Sequence, residues 1–331
     1  MALPLGSPAL EEALTPRLAI VEERLRDAVA QSDRLAHATS RHLVDAGGKR
    51  LRPMLTLLTA QLGDGARPEV VDAAVVVELT HLATLYHDDV MDSAPTRRGA
   101  PAAHEVWGNS VAILTGDLLF ARASRVVAGL GPEAVRIQAE TFERLCLGQL
   151  HETVGPDDGE DAAEHYLQVL ADKTGSLIAT SAMFGAKFAG CDVRTVEAVT
   201  RYGELAGVAF QLADDVIDVR SDAATTGKTP GTDLREGVPT MPVLLLRKRV
   251  AEGRGSDADA DLLAAIDGDL SGDDALDQAV LALRGHDVVD ETSQLAHAWA
   301  GRAKESVDCL PEGDVRDALL TFADALVARA A

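Results

Sequence analysis

Asp88-Asp89-x-x-Asp92 and Asp214-Asp215-x-x-Asp218 each close an apolar run, roughly a third and two-thirds of the way along this chain of 331 residues. The runs are too long for strands and carry helical spacing, so each aspartate triplet must sit at the end of a helix. Residues i and i+4 share a helix face, so Asp88 projects beside Asp92, and Asp214 beside Asp218. Each helix thus offers a comb of carboxylates. A hard divalent cation such as Mg²⁺ takes oxygen ligands and keeps several waters. It binds through one or two carboxylates together with the substrate's phosphates. Two combs facing one another would bracket a diphosphate through several such ions. In a chain with 53 Asp and Glu residues a single triplet reads equally well as a solvated helix end; the second copy points to chemistry.

The surroundings of the combs are cationic. Gly47-Gly48-Lys49-Arg50-Leu51-Arg52-Pro53 has the glycines of a helix end and the proline of a helix start. Its three cations point to one anion, Arg through forked contacts and Lys as a compact charge. After the first comb, Pro95 breaks the helix and Arg97-Arg98-Gly99 follows in a loop. Asp172-Lys173-Thr174-Gly175 precedes an apolar helical stretch. Gln211 lies three residues before Asp214 on the same predicted helix face, and Lys228 stands in a Gly- and Pro-rich loop after the second comb.

These residues resemble the trans-isoprenyl diphosphate synthases. The marks of that family are two aspartate-rich motifs, an upstream GGKRxRP and an RRG after the first motif, and all occur here in order. The likeness runs from about Arg41 to about Leu246 and is strongest in HDDVMDSAPTRRG and GVAFQLADDVIDV. It implies an all-α helical bundle of the isoprenoid synthase type with a central cavity, a Mg²⁺-dependent prenyltransferase, and a homodimer. The implied catalytic set is Asp88, Asp89, Asp92, Asp214, Asp215, Asp218 and Lys173. Asp88, Asp92 and Asp214 would hold Mg²⁺, three ions per site with substrate bound. Arg97, Lys173, Thr174, Gln211 and Lys228 would bind the allylic diphosphate, and Gly48, Lys49, Arg52, His81 and Arg98 isopentenyl diphosphate. His87 is a candidate for support behind Asp88, or a core histidine. Two departures stand out. Val238 occupies a position that is lysine in many relatives, and the C-terminal stretch Leu326–Ala331 lacks the basic cluster of some relatives.

Composition bounds the rest. Ala- and Leu-rich segments with few aromatics favour helices, with no evident strand alternation, and 1–331 reads as a single domain. The stretches Val70 to Asp92 and Val111 to Val127 are apolar nearly all round, as in the middle of a bundle. A net charge of −22 argues against nucleic acid and anionic membranes as partners. No export signal and no transmembrane span is read, so a cytoplasmic protein is expected. Cys146, Cys191 and Cys309 lack paired spacing and are assigned to packing. Asp267-x-Asp269-x-Ser271-Gly272-Asp273 approximates a calcium loop, but Gln278 stands where a bidentate carboxylate is needed, leaving a solvated acidic loop.

Product length should be set along the helix leading to the first comb. Thr84, Thr80, Val77 and Ala73 run down one face, all small, over about 22 Å at 1.5 Å per residue. Short-chain relatives carry bulky aromatics where this chain has Ala83 and Thr84. The resemblance therefore implies a long all-trans product of about eight to ten isoprene units, by analogy with long-chain relatives, for a quinone side chain. A farnesyl or geranylgeranyl primer is implied. The alternatives are a C15 or C20 synthase, a class I terpene cyclase, or a chain-length-setting partner subunit. The second comb and GGKRLRP speak against a cyclase, and the intact combs against a non-catalytic subunit.

Overall fold

Helix starts follow directly from the sequence. α1 (Pro8–Val29) and α4 (Pro68–Met91) open on prolines, whose fixed φ and missing N–H suit the first turn. α2 (Arg34–Asp45) is capped by the Asp33 carboxylate, which accepts from the Ala36 N–H. The computed structural model describes residues 5–220 and 230–328; Lys228 and the end of the C-terminal stretch, from Arg329, lie outside them. Within them the fold is all-α. The remaining helices are α3 (Leu51–Thr59), α5 (Ala103–Trp107), α6 (Asn109–Ala128), α7 (Pro132–Val154), α8 (Ala162–Leu170), α9 (Ser176–Phe188) and α10 (Val193–Arg220). They continue with α11 (Thr232–Arg235), α12 (Met241–Ala251), α13 (Asp257–Ile266), α14 (Asp273–Arg284), α15 (Asp287–Ser306) and α16 (Asp314–Val327). Two strands of two residues each, β1 (Thr96–Arg97) and β2 (Ala100–Pro101), pair as an antiparallel hairpin at the RRG sequence, where a plain loop was expected.

The chain divides into two compact units. The first comprises Met1–Leu145, Ser176–Gly203 and Ser306–Phe322; the second comprises Cys146–Gly175, Glu204–Glu305 and Ala323–Ala331. In the first unit α4 is the central helix, packed by α1, α3, α6 and α9. Contrary to expectation, α4 is long and apolar enough to span a membrane, but 72% of its most apolar stretch is buried inside the protein. Its apolarity is consumed by packing. The matching expectation for α6 fails on one side. Ala112, Thr115, Gly116, Leu119, Ala123 and Val127 form a buried stripe, while Ile113 (42%) and Leu114 (65%) are exposed.

α3 and α9 come unusually close. Gly185 permits it, since a Cβ there would lie 2.1 Å from the Thr56 carbonyl oxygen and 2.2 Å from Thr59 Oγ1. Thr56 Oγ1 then donates to the Ser181 carbonyl at 2.8 Å and Thr59 Oγ1 to that of Ala182 at 2.9 Å. This stitch fixes α3, whose first turn carries Arg52 and whose start is reached through the loop bearing Lys49 and Arg50.

The second unit has its own core, with Val208, Leu212, Val216, Met241, Leu246, Leu276, Leu283, Val288 and Ala296 fully or nearly buried together. In its calcium-like loop Asp267 accepts from Arg247 at 2.6 Å and Asp273 from Arg235 at 2.5 Å, both at the surface. The assignment of the cysteines to packing holds only in part. All three are free thiols, but Cys146 and Cys309 are exposed and only Cys191 is half-buried.

Replacing Gly185 by Ala should cost about 1–3 kcal/mol through overpacking. Thermal denaturation should register this as a Tm lower by several degrees. An unchanged Tm would mean that the two helices separate freely.

Candidate active site

The first comb sits at the C-terminal end of α4, where the helix dipole is negative and carboxylates are disfavoured. The turn is closed by backbone: the N–H of Asp92 donates to the Asp88 carbonyl at 2.8 Å and that of Ala94 to the Asp89 carbonyl at 3.0 Å, with Ser93 left-handed at φ 50°. Asp88 is half-buried and Asp92 exposed, but Asp89 is fully buried. Asp89 Oδ1 accepts from Arg97 Nε at 2.6 Å. Burial raises its pKa against the pull of Arg97.

Arg97 and Arg98 belong to the β1–β2 hairpin. Arg97 pairs with Ala100, so the turn consists of Arg98 (φ 55°) and Gly99 (φ 79°), both left-handed as a type I′ turn requires. Gly answers that need; Arg does not, and the strain is held by contacts. The Arg98 guanidinium donates to the carbonyls of Leu43 (3.1 Å) and Gly47 and lies against Gly48, where a Cβ would stand 2.7 Å from its Cζ. Thus the RRG turn and the GGKR loop interlock.

The expectation of three cations serving one anion needs correction. Arg50 is buried and turned inward onto Glu22 and Glu78. Lys49 is exposed on the same loop, and Arg52 is half-buried on the first turn of α3. The Nε of Arg52 is buried with no hydrogen-bond partner among the described residues. Burial, together with the Arg98 charge, lowers its pKa to about 10 in spite of Glu78 and Asp88. Burial also lowers the pKa of Arg98. His81 stands in the same field; burial, then Arg52, Arg98, Arg97 and Arg50, hold it well below its ordinary value. It is neutral at pH 7. Gly48, Arg52, His81, Arg97 and Arg98 are therefore brought together with Asp88 and Asp89, a cationic patch that an anion would relieve.

His87 faces α6 instead. Its Nε2 is 3.1 Å from the Ile113 carbonyl and 3.4 Å from Asp117, in space left by Gly116. Tyr86 is buried, donating to the Thr39 carbonyl at 2.5 Å and accepting from the Leu43 N–H at 3.3 Å.

In the second unit Asp214 and Asp218 are half-buried on α10, with Gln211 one turn earlier, and Asp215 is buried. Tyr166 Oη is 3.1 Å from both oxygens of Asp215, and the Met241 N–H donates to its Oδ2 at 3.2 Å. Burial, reinforced by Asp233 and Asp214, raises the Asp215 pKa well above its usual value against those hydrogen bonds. Lys173 and Thr174 lie in a π-helical turn, Ala171–Gly175, that runs from α8 directly into α9. Such turns often mark functional positions. Lys173 Nζ contacts Glu152 at 2.5 Å, and Gly148 makes room for its backbone. Lys228 is outside the described residues.

Glu78, Glu152 and Tyr166 were not foreseen. Glu78 had a readable signal, a lone acid inside the apolar run of α4; Tyr166 and Glu152 had none. Ala83 is fully buried, whereas Thr84 is half-buried, so of the two chain-length positions only Thr84 has open surface. Lower on that face, Val77 and Ala73 are packed with Val127, Ile137, Leu145 and Phe184. The stacked pair Phe120–Phe142 (3.8 Å between centroids) brings a further aromatic against that cluster. The wall is lined by α4 but bounded by residues of its neighbours.

The low pKa of His81 fixes a sign. The unfolded chain binds this proton below about pH 6.5 and the folded chain does not, so stability is full above that pH and falls as pH drops through it. Between about pH 7.5 and about pH 5.5, Tm of the wild type should therefore fall more than that of His81→Gln. Equal declines would assign the effect to other groups.

The model of the polyprenyl synthetase family matches residues 33–280. The chain is 43% identical to nonaprenyl diphosphate synthase of Mycobacterium tuberculosis, over 98% of this chain and 96% of that one. It is 37% identical to a dimethylallyltranstransferase of the same organism, over 98% and 97%. The fold superposes on polyprenyl synthase of Caulobacter crescentus, crystallised with calcium and isoprenyl diphosphate, with a TM-score of 0.88, 34% identity and 97% of each chain covered. Motif order, helical fold and full-length likeness agree, and the chain belongs to the polyprenyl synthetase family of trans-isoprenyl diphosphate synthases.

Proposed function

We propose that this protein condenses isopentenyl diphosphate with an allylic diphosphate, farnesyl or geranylgeranyl, to build a long all-trans polyprenyl diphosphate, the precursor of a quinone side chain. The observation that carries this is the half-buried, cation-crowded set of Arg52, Arg98 and neutral His81, with Arg52 Nε unpartnered among the described residues, beside the carboxylates of α4. It is suited to an anion rather than to a neutral ligand.

The donor set suits Mg²⁺. Among the described residues no three His, Cys, Asp or Glu side chains cluster as a metal cage. A hard octahedral ion that takes one or two carboxylates plus phosphate oxygens needs none. Asp88 and Asp92 on the first comb and Asp214 on the second would hold such ions, which when bound stabilise the charge gathering on the leaving diphosphate. Asp89 and Asp215, turned inward, orient the combs instead.

On the allylic diphosphate, Arg97, Lys173, Thr174, Gln211 and Lys228 supply donors to the remaining oxygens. Lys49, Arg52 and Arg98 bind isopentenyl diphosphate, and His81 adds a donor without adding charge to a crowded set. The allylic carbon–oxygen bond breaks to a carbocation, the isopentenyl double bond attacks it, and the released diphosphate takes the proton. The tail grows along the wall below Thr84. Small residues at Ala83 and Thr84 support a long product, as does the likeness to a nonaprenyl synthase.

The test is product chromatography with farnesyl diphosphate, labelled isopentenyl diphosphate and Mg²⁺, with a chelator control. The wild type should give a chelator-sensitive ladder ending at a long prenol. Asp88→Ala should lose more than about a hundredfold in turnover with helical circular dichroism intact. Thr84→Phe should shorten the product. Full activity of Asp88→Ala would remove the site, and an unchanged ladder in Thr84→Phe would move the floor elsewhere.

The protein works in the cytoplasm as a homodimer, in which a second copy covers apolar surface such as Ile113 and Leu114. Size-exclusion chromatography should read twice the chain mass, and a monomer would refute the pairing.

A further inference from the structure

We infer that Arg50 is a positioning residue: clamped between Glu22 of α1 and Glu78 of α4, it sets the loop that presents Lys49 and Arg52, and so couples the first helix of the chain to isopentenyl diphosphate binding. The inference rests on the reading, given above, that Arg52 and its neighbours hold that diphosphate.

Every donor of the Arg50 guanidinium is used. Nε donates to Glu22 Oε1 at 2.5 Å, and Nη2 to Glu22 Oε2 at 3.3 Å and the Val44 carbonyl at 3.0 Å. Nη1 donates to Glu78 Oε1 at 2.8 Å and the Gly47 carbonyl at 3.2 Å. The residue is 4% exposed. No donor is left for a substrate, whereas two residues on the buried Nε of Arg52 has no partner among the described residues. One arginine is fully spent inside the protein and the next is held in reserve.

The backbone explains why such a clamp is needed. Arg50 is left-handed at φ 47°, where a side chain is disfavoured, and it caps α3 with its carbonyl accepting from the Met54 N–H at 2.9 Å. Gly47 and Gly48 before it are at φ 79° and 142°. Three irregular residues within four have little intrinsic preference for one path. The forked contacts to Glu22, Val44 and Gly47 supply it, and with it the direction in which α3 starts. Lys could keep the charge but not the fork. Glu78 is 2% exposed and lies 3.9 Å from Arg98 as well, so removing it would strand two cations. Glu22, a quarter exposed, is the gentler handle.

The experiment measures steady-state kinetics for both substrates in Glu22→Gln, Arg50→Lys and, as reference, Arg52→Ala, with Tm recorded for each. Glu22→Gln and Arg50→Lys should raise KM for isopentenyl diphosphate by about tenfold, the worth of one charge-assisted contact. KM for the allylic substrate and kcat should stay within about twofold, since those steps use other residues. A lower Tm with both KM values unchanged, or a parallel rise in both, would reduce Arg50 to a purely structural ion pair and overturn the proposal. Should Arg50→Lys fail to fold, Glu22→Gln decides alone. If Arg52→Ala leaves KM for isopentenyl diphosphate unchanged while it binds the allylic substrate normally, the diphosphate assignment itself falls, and the coupling with it.

Discussion

Carboxylates gathered at the negative end of a helix are the constraint on which the rest of this structure depends. Asp88, Asp89 and Asp92 terminate α4, and Asp214, Asp215 and Asp218 lie in the last turns of α10. The helix dipole opposes those in the last turn by a few tenths of a kcal/mol or more. Stability alone would place lysines there. The arrangement makes sense when cations arrive from outside the helix, as guanidinium groups, ammonium groups or metal ions. In the first unit guanidinium groups are visible at the comb: Arg97 bonded to Asp89, and Arg52 in the field of Asp88. Sites of this kind break a local rule that the surrounding structure then compensates.

The two combs solve one orientation problem by different means. In each, the middle aspartate is buried and bonded to protein while the outer two keep open surface. For Asp89 the anchor is an ion pair with a hairpin arginine; for Asp215 it is a phenol hydroxyl and a backbone N–H. Fixing the middle residue fixes the rotation of the helix end, and hence where its neighbours point. A motif of three aspartates is thus two partly exposed carboxylates and one rivet.

Much of this was legible in the sequence. The helices of the motif-bearing region and the place of the combs at helix ends follow from spacing and from a few special residues; the interlock of Arg98 with Gly47 and Gly48 does not. What was not legible depended on contacts across long stretches of chain. Arg50 looked like Arg52 in sequence, and only the arrival of Glu22 and Glu78 from two other helices separates the arginine spent inside the protein from the one whose Nε has no partner among the described residues. The wall below Thr84 looked open because periodicity reads one helix at a time. Phe184 and Phe142 approach it from α9 and α7. The apolar run of α4 passed for neither membrane span nor anything but core in the sequence reading, though by length and composition it qualifies as a span; burial by four neighbouring helices decides the matter. The hairpin of two-residue strands lies below the length at which alternation can be read.

The left-handed Arg98 has a consequence for how such a protein can change. A hairpin turn built on Asn-Gly is self-sufficient, since both residues accept the turn conformation unaided. One built on Arg98-Gly99 is not, because its geometry is held by a guanidinium anchored on Leu43 and Gly47 and lying where Gly48 leaves room. The two segments are distant in sequence but share one geometry. A graft of either into a foreign bundle would carry the residues of the turn without its shape.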